Sequence, residues 1–330
     1  TNLSEWAYYF CSGCPLGYSA IGGQTLNPYG RKKFESGGSS SGSGAAIAAN
    51  LASVSLGTET SGSILSPSSL NSLVGLKPTV GLVSRSGIVP ISSSFDTSGP
   101  MTKNVIDNII VFKNIIGFDN DDPMSKNEID IDLNKIFNAT IKGKRFAVFK
   151  NLLDQELYSK SVAKIIEQGG IIIELKPEKV DFSGFGKILD YDMKKDLNRY
   201  IKKHINTELK IINVHDIVKF NSQDSMIRAP YGMKRFLGMA QNNIFEEEYV
   251  KLKTKVKKNA QKFFLNSLKN NQVDAVLSIN NYHAGYAAAA NYPCLTIPMG
   301  YKKSGEPQNL TFISTSFNET ILYEIGYVFE

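Results

Sequence analysis

The sequence predicts an α/β fold, and three observations carry that expectation. A strand-like run at 145–149, an amphipathic helical stretch at 155–168 and a second apolar run at 170–175 make a strand–helix–strand unit, the unit from which helix-covered sheets are built. An Ala-rich run at 45–56 carries no charged residue, so as a helix it has no polar face and belongs in the core. The chain, 330 residues and 42% hydrophobic, is long enough to bury a large core as one α/β domain or two smaller ones.

Taken in order, a helix is expected over 3–9, followed by a glycine-rich loop up to residue 37 that helps floor a site. Residues 74–79 read as a short buried strand and 80–100 as a turn-rich excursion. Thr102 is placed as the N-cap of a helix through Ile116, with Val105, Ile106, Ile109 and Phe112 on its apolar face and Gly117 as its stop. The stretch 119–132 turns acidic and polar, a surface connection. After the strand–helix–strand unit, 189–264 is mostly helical and rich in lysine and tyrosine; 273–277 is a strand, and a last helix spans 318–329.

Composition excludes several classes. The net charge of +6 is spread over many lysines, and stretches such as 251–262 have apolar residues at helical spacing, so they are solvated helix faces and no nucleic-acid partner is inferred. No run of about 18 apolar residues exists, so no membrane span is expected. The compartment stays open, whether cytoplasmic or exported. Cys11 and Cys14 have the spacing of a redox pair or half a zinc site. With no second such pair, and His204, His215 and His283 far away in sequence, they are read as incidental loop cysteines.

The chemistry concentrates between Gly37 and Ser63. Two glycine/serine turns, Gly37-Gly38-Ser39-Ser40-Ser41-Gly42-Ser43-Gly44 and Gly57-Thr58-Glu59-Thr60-Ser61-Gly62-Ser63, bracket the apolar run. Three readings compete. Flexible loops are the plain one. A phosphate cradle fits the Gly37 and Gly42 spacing but fails at Ser43, which stands where the phosphate-binding lysine is required. The third is an acyl-transfer site, since glycine lets backbone approach a ligand and serine offers a nucleophile.

Here the sequence resembles the amidase signature family, and most closely its peptide-amidase branch. The two turns carry the resemblance together with Val74-Gly75-Leu76-Lys77-Pro78-Thr79, Gly81-Leu82-Val83-Ser84-Arg85 and Asp96-Thr97-Ser98-Gly99-Pro100-Met101, and upstream with Thr1-Asn2-Leu3-Ser4-Glu5-Trp6-Ala7 and 22–29. The resemblance implies an α/β/α sandwich with a central mixed sheet in a single domain: a signature core at 1–118, a variable substrate-shaping region at 119–272, and a return to the sheet at 273–330. It implies an amidohydrolase for linear amides, small or peptide, acting as monomer or homodimer without metal or organic cofactor. Alternatives are the glutamine-amidase subunit of a tRNA-dependent amidotransferase and a non-catalytic remnant of the fold.

Carried over residue by residue, the resemblance makes Ser63 the nucleophile and Ser39 the bridging serine after a cis Gly38–Ser39 bond, with Gly37, Gly38, Ser40, Ser41 and Gly42 supporting it. Thr60, Ser61, Gly62 and Ser63 supply the backbone N–H groups of an oxyanion hole. The triad's lysine belongs upstream of Thr1, so the chain reads as N-terminally incomplete and is expected to be very weakly active by itself. Lys32 and Lys33 do not match that position and are read as solvated. Ser61 and Leu65 depart from the commonest pattern, which has glycine or an acidic residue at the first and arginine at the second; Glu59 replaces the aspartate that would pair with that arginine. Tyr191, Tyr200 and Tyr231 are possible pocket residues, more often core; His283 is read as structural.

Overall fold

The computed structural model describes residues 3–127, 129–175, 179–268 and 272–330. A small antiparallel pair, β1 (Tyr18–Ser19) and β2 (Gly23–Gln24), lies in the N-terminal loop. The main sheet contains β3 (Ser55–Glu59), β4 (Val74–Lys77), β5 (Thr97–Thr102), β6 (Arg145–Phe149), β7 (Ile171–Leu175), β8 (Ala275–Ile279), β9 (Cys294–Tyr301) and β10 (Pro307–Ile313), in the order β3-β5-β4-β9-β10-β8-β6-β7. Neighbours from β3 to β8 are antiparallel. β8, β6 and β7 run parallel, so the sheet is mixed.

Helices α1 (Ser41–Ala48), α2 (Leu65–Leu70), α3 (Val105–Ile115), α4 (Leu133–Phe137) and α5 (Glu156–Glu167) alternate with the first strands. Then come α6 (Phe185–His204), α7 (Val214–Ser222), α8 (Ser225–Arg228), α9 (Lys234–Gln241), α10 (Glu246–Leu268), α11 (Ala284–Ala290) and α12 (Glu319–Phe329). Successive residues of a strand point to opposite faces, and β9 shows what covers each face. Thr296 Oγ1 lies 3.2 Å from Ser69 Oγ of α2. Leu295 and Ile297 lie against Gly326 of α12, where an added Cβ would fall 2.6 Å from Leu295 Cδ2. Helices therefore cover both faces, the sandwich the motifs imply, and β4, β5, β8 and β10 are buried along their whole length, as strands covered on both faces must be.

Several expectations change in detail. Residues 3–9 do not form an α-helix: Trp6, Ala7 and Tyr8 have φ of 48°, 50° and 68°, a left-handed turn. Tertiary contacts override helix propensity there. Ser4 N–H donates to Ser39 O, the Glu5 carboxylate accepts from Ala20 N–H, and Trp6 packs on Phe236. The apolar run at 45–56 is only partly a core helix, because α1 ends at Ala48, Asn50 turns left-handed at φ 61°, and Leu51 and Leu56 are exposed. The run continues into β3, the edge of the sheet. Gly42, Ser43 and Gly44 lie inside α1 and not in a turn. Thr102 closes β5, and the cap of α3 is Asn104, whose side chain accepts from Asp107 N–H.

Candidate active site

Glycine geometry sets the first turn. Gly37 has φ +69°, and a Cβ there would fall 2.6 Å from Pro67 Cα, so only glycine lets this backbone pass over α2. The Gly38–Ser39 peptide is cis. Around it, Ser41 Oγ–H donates to Gly37 O at 2.6 Å, and Ser4 Oγ accepts from Gly17 N–H at 2.7 Å while lying 3.2 Å from Ser41 Oγ. The N-terminal loop thereby clamps Ser39 from outside, with Ser4 N–H on the Ser39 carbonyl at 2.9 Å.

The two motif turns meet through their backbones. Ser40 N–H donates to Ser63 O at 3.1 Å, and the Ser40 hydroxyl donates to Thr58 O and accepts from Thr58 N–H, both at 3.0 Å. Ser63 is half-buried at the end of the second turn. Ser39 is 1% exposed, and its Oγ has no hydrogen-bond partner among the described residues. The two serines are therefore brought together through the main chain, while no hydrogen bond joins their hydroxyls.

The second turn is wrapped around a buried carboxylate. Glu59 Oε1 accepts from Gly62 N–H at 2.6 Å, and Oε2 accepts from Ile64 N–H at 2.7 Å and Leu65 N–H at 3.0 Å. Burial raises the Glu59 carboxyl above its ordinary range, opposed by the Lys77 charge and by these three N–H groups. Where the family pattern has an arginine side chain, Leu65 satisfies the carboxylate with its own main-chain N–H. One expectation is corrected here: the Gly62 N–H is taken by Glu59 and is not a free oxyanion donor. Glu59 does not engage the N–H groups of Thr60, Ser61 or Ser63, which stay with the candidate hole.

Thr60 is held from the other side, its hydroxyl donating to Asp96 Oδ1 at 2.6 Å. The motif residues Asp96 and Arg85 find these partners, Thr60 and Asp122, 36 and 37 positions away in sequence, and only folding reveals them. Next to Thr60 opens a cleft of about 180 Å³, walled by Ile88, Val89, Pro90 and Ile91 and by Tyr200 of α6. Tyr200 donates to Gly87 O at 3.3 Å. Tyr191 instead stacks on Tyr249, and Tyr231 packs edge-on against Tyr18. Asn281 approaches the turn as well, 3.0 Å from where a Cβ on Gly62 would stand.

Lys32 and Lys33 are exposed, and Lys33 Nζ donates to Ser304 O. Lys77 is fully buried, with Nζ on Pro78 O at 3.0 Å. Cys11 and Cys14 are not incidental: they are buried and joined in a disulfide, their Cα atoms 5.9 Å apart. His283 stacks on Phe149 with its Nδ1 2.7 Å from Ser278 Oγ, and burial lowers its pKa to about 4. Among the described residues no group of three His, Cys, Asp or Glu side chains could hold a metal ion, and no helix is long and apolar enough to cross a membrane.

With this geometry in view, comparison with known proteins is direct. The profile of the Amidase family matches residues 1–322. A probable amidase of Arabidopsis thaliana is 33% identical over all of this chain and 66% of its own length. The crystal structure of an amidase family protein from Bacillus anthracis superposes with a TM-score of 0.92 at 34% identity, covering all of this chain and 66% of that one. The native peptide amidase from Stenotrophomonas maltophilia superposes with a TM-score of 0.90 at 33% identity, covering all of this chain and 72% of that one. The chain thus spans about two thirds of the length of the Arabidopsis relative. By its motifs, its sheet and these matches, it belongs to the amidase family.

Proposed function

We propose that the protein is an amidohydrolase that cleaves linear amide C–N bonds through a serine acyl-enzyme, with Ser63 as nucleophile and Ser39 as proton relay. The observation that carries this reading is the Ser39 hydroxyl, buried without a hydrogen-bond partner one residue from the bond between Ser40 and Ser63. Leaving such a group unsatisfied costs about 1–3 kcal/mol, and a buried polar atom kept in that state is a candidate for a catalytic role.

In the proposed cycle, Ser63 Oγ forms a bond to the amide carbonyl carbon as its proton passes to Ser39 and the Ser39 proton to a lysine amine. The carbonyl electron pair moves to oxygen, where the Thr60, Ser61 and Ser63 N–H groups donate. The C–N bond then breaks, the lysine proton returns to the leaving amine, and water hydrolyses the ester. Lys32 and Lys33 are exposed and Lys77 donates to Pro78 O, and none of the three is given the role of the base. In this reading the base is the lysine of the family motif, a position that none of residues 1–330 occupies.

The test uses the full-length protein. Ammonia release from a peptide amide and covalent capture of a fluorophosphonate are expected, and Ser63→Ala removes both. Labelling at another residue, or turnover that survives Ser63→Ala, overturns the assignment.

A further inference from the structure

Asp96 sits where three parts of the molecule meet. It is half-buried. Its Oδ1 accepts the Thr60 hydroxyl at 2.6 Å, and its Oδ2 accepts Ile91 N–H and Ser92 N–H, each at 2.8 Å. The stretch that carries it is anchored in turn. Arg85 donates to Ser93 O at 2.8 Å and grips Asp122 with two N–H groups at 2.8 and 2.6 Å.

Behind this stretch, α6 and α10 complete the connection. Ser92 Oγ–H donates to Asp192 Oδ2 at 2.5 Å, Ser93 N–H to Asp196 Oδ2 at 2.7 Å, and Tyr249 O–H to Asp192 Oδ1 at 2.6 Å. A continuous line of hydrogen bonds therefore runs from Tyr249 in α10 through Asp192, Ser92 and Asp96 to Thr60. Glu59 grips the next part of the same turn through Gly62 N–H. Two carboxylates hold the turn, buried Glu59 from within it and half-buried Asp96 from a loop backed by the helical region.

We infer that Asp96 is a positioning residue for the oxyanion turn, acting through the Thr60 hydroxyl and linking the helical region to the site. The inference rests on the amidohydrolase reading for its catalytic consequence but not for its structural one. Transition-state donors lose effect when displaced by fractions of an ångström, so a slack Thr60 lowers kcat more than it raises KM. The charged and titratable groups around Asp96 and its anchors include Arg85, Asp122, Asp192, Asp196, Tyr249 and Glu59, and Asp121, Arg199, Tyr200, Lys203 and His204 line the same cleft. Burial lifts the Asp96 carboxyl to about 6, against the Arg85 charge and its three donors. Protonation there removes acceptor capacity from the latch, which ties it to an acid limb in the rate profile.

The experiment compares full-length wild type with Thr60→Val, Thr60→Ser and Asp96→Asn, with two readouts. Thr60→Val is expected to lower kcat for a peptide amide about tenfold with KM within a factor of two and to shift the acid limb. Thr60→Ser, which keeps the hydroxyl, is expected to lose less kcat than Thr60→Val and to keep the acid limb of wild type. Hydrogen exchange of the Ser61 and Ser63 amides is expected to quicken in Thr60→Val and Asp96→Asn and not in Thr60→Ser. An inactive wild type defeats the amidohydrolase reading and leaves the exchange readout to decide this one. Unchanged exchange in Thr60→Val and Asp96→Asn, equal loss in Thr60→Ser and Thr60→Val, or a loss confined to KM overturns it.

Discussion

The carboxylate of Glu59 takes the main-chain N–H of Gly62, three residues on, at 2.6 Å. That bond and its companions at Ile64 and Leu65 turn a glycine/serine stretch into a defined loop at the N-terminus of α2. A negative charge at a helix N-terminus is favourable by its interaction with the aligned peptide dipoles, and here three N–H groups and the nearby Lys77 offset part of the cost of burying it.

Glu59→Gln follows directly. The amide has one acceptor oxygen and turns its NH₂ toward N–H groups that cannot accept, so about 2–4 kcal/mol of stability is expected to be lost. Denaturant titration measures this, and a change below about 0.5 kcal/mol contradicts the role given to the carboxylate.

Asp96 makes stability depend on pH in a definite sense. Its folded pKa of about 6 lies above the ordinary aspartate value of 3.8, so between those values the folded state holds more protons than the unfolded state. Its contribution is fully present below the unfolded value and is lost as pH rises through 6, a change of about 3 kcal/mol. Urea titrations at pH 4 and pH 7 are expected to show the stability of wild type relative to Asp96→Asn falling by that order.

His283 acts in the opposite sense. Burial depresses its pKa from 6.5 to about 4, so the unfolded state binds the extra proton and stability is lost as pH falls from 6.5 toward 4. The imidazole ¹⁵N shifts are expected to stay those of a neutral ring at pH 5.5. A charged ring at that pH contradicts a pKa lowered to about 4 by burial.

The disulfide fixes a thiol count. Of the three cysteines, only Cys294 is free, and it is buried with its thiol pushed up to about 12. A thiol reagent is expected to find none in the folded protein, one after unfolding and three after reduction. Opening the short Cys11–Cys14 loop should cost about 2 kcal/mol in the chain-entropy account, in a segment that holds Ser39 through Ser4.

Gly37→Ala tests the close approach to α2. The new methyl meets Pro67 backbone at 2.6 Å from a left-handed position, with no flexible side chain to yield. A loss of more than 2 kcal/mol, about the upper range for ordinary substitutions, and reduced fluorophosphonate labelling of the full-length protein are expected. The positive-φ residue Gly143, whose added Cβ meets nothing within 4 Å, is the control for backbone strain alone.

The sequence by itself determined the family and the α/β class, and singled out Ser39 and Ser63 as candidates, because glycine, serine and apolar spacing are local properties written in order along the chain. It also located the parallel unit of β6, α5 and β7 within a residue or so, since periodicity alone specifies such elements. It did not reveal β10, whose Gln308, Asn309 and Thr311 read as surface polarity. Folding buries them and supplies partners: Asn309 Nδ2–H donates to Leu73 O and Thr311 Oγ1–H to Thr296 Oγ1. Likewise only the tertiary structure decided which N–H groups of the turn are taken, that Asp96 faces Thr60, and that Trp6 to Tyr8 turn left-handed. The last two depend on partners far off in sequence, and the first on Glu59 turning back onto its own loop once it is buried; no local propensity encodes either.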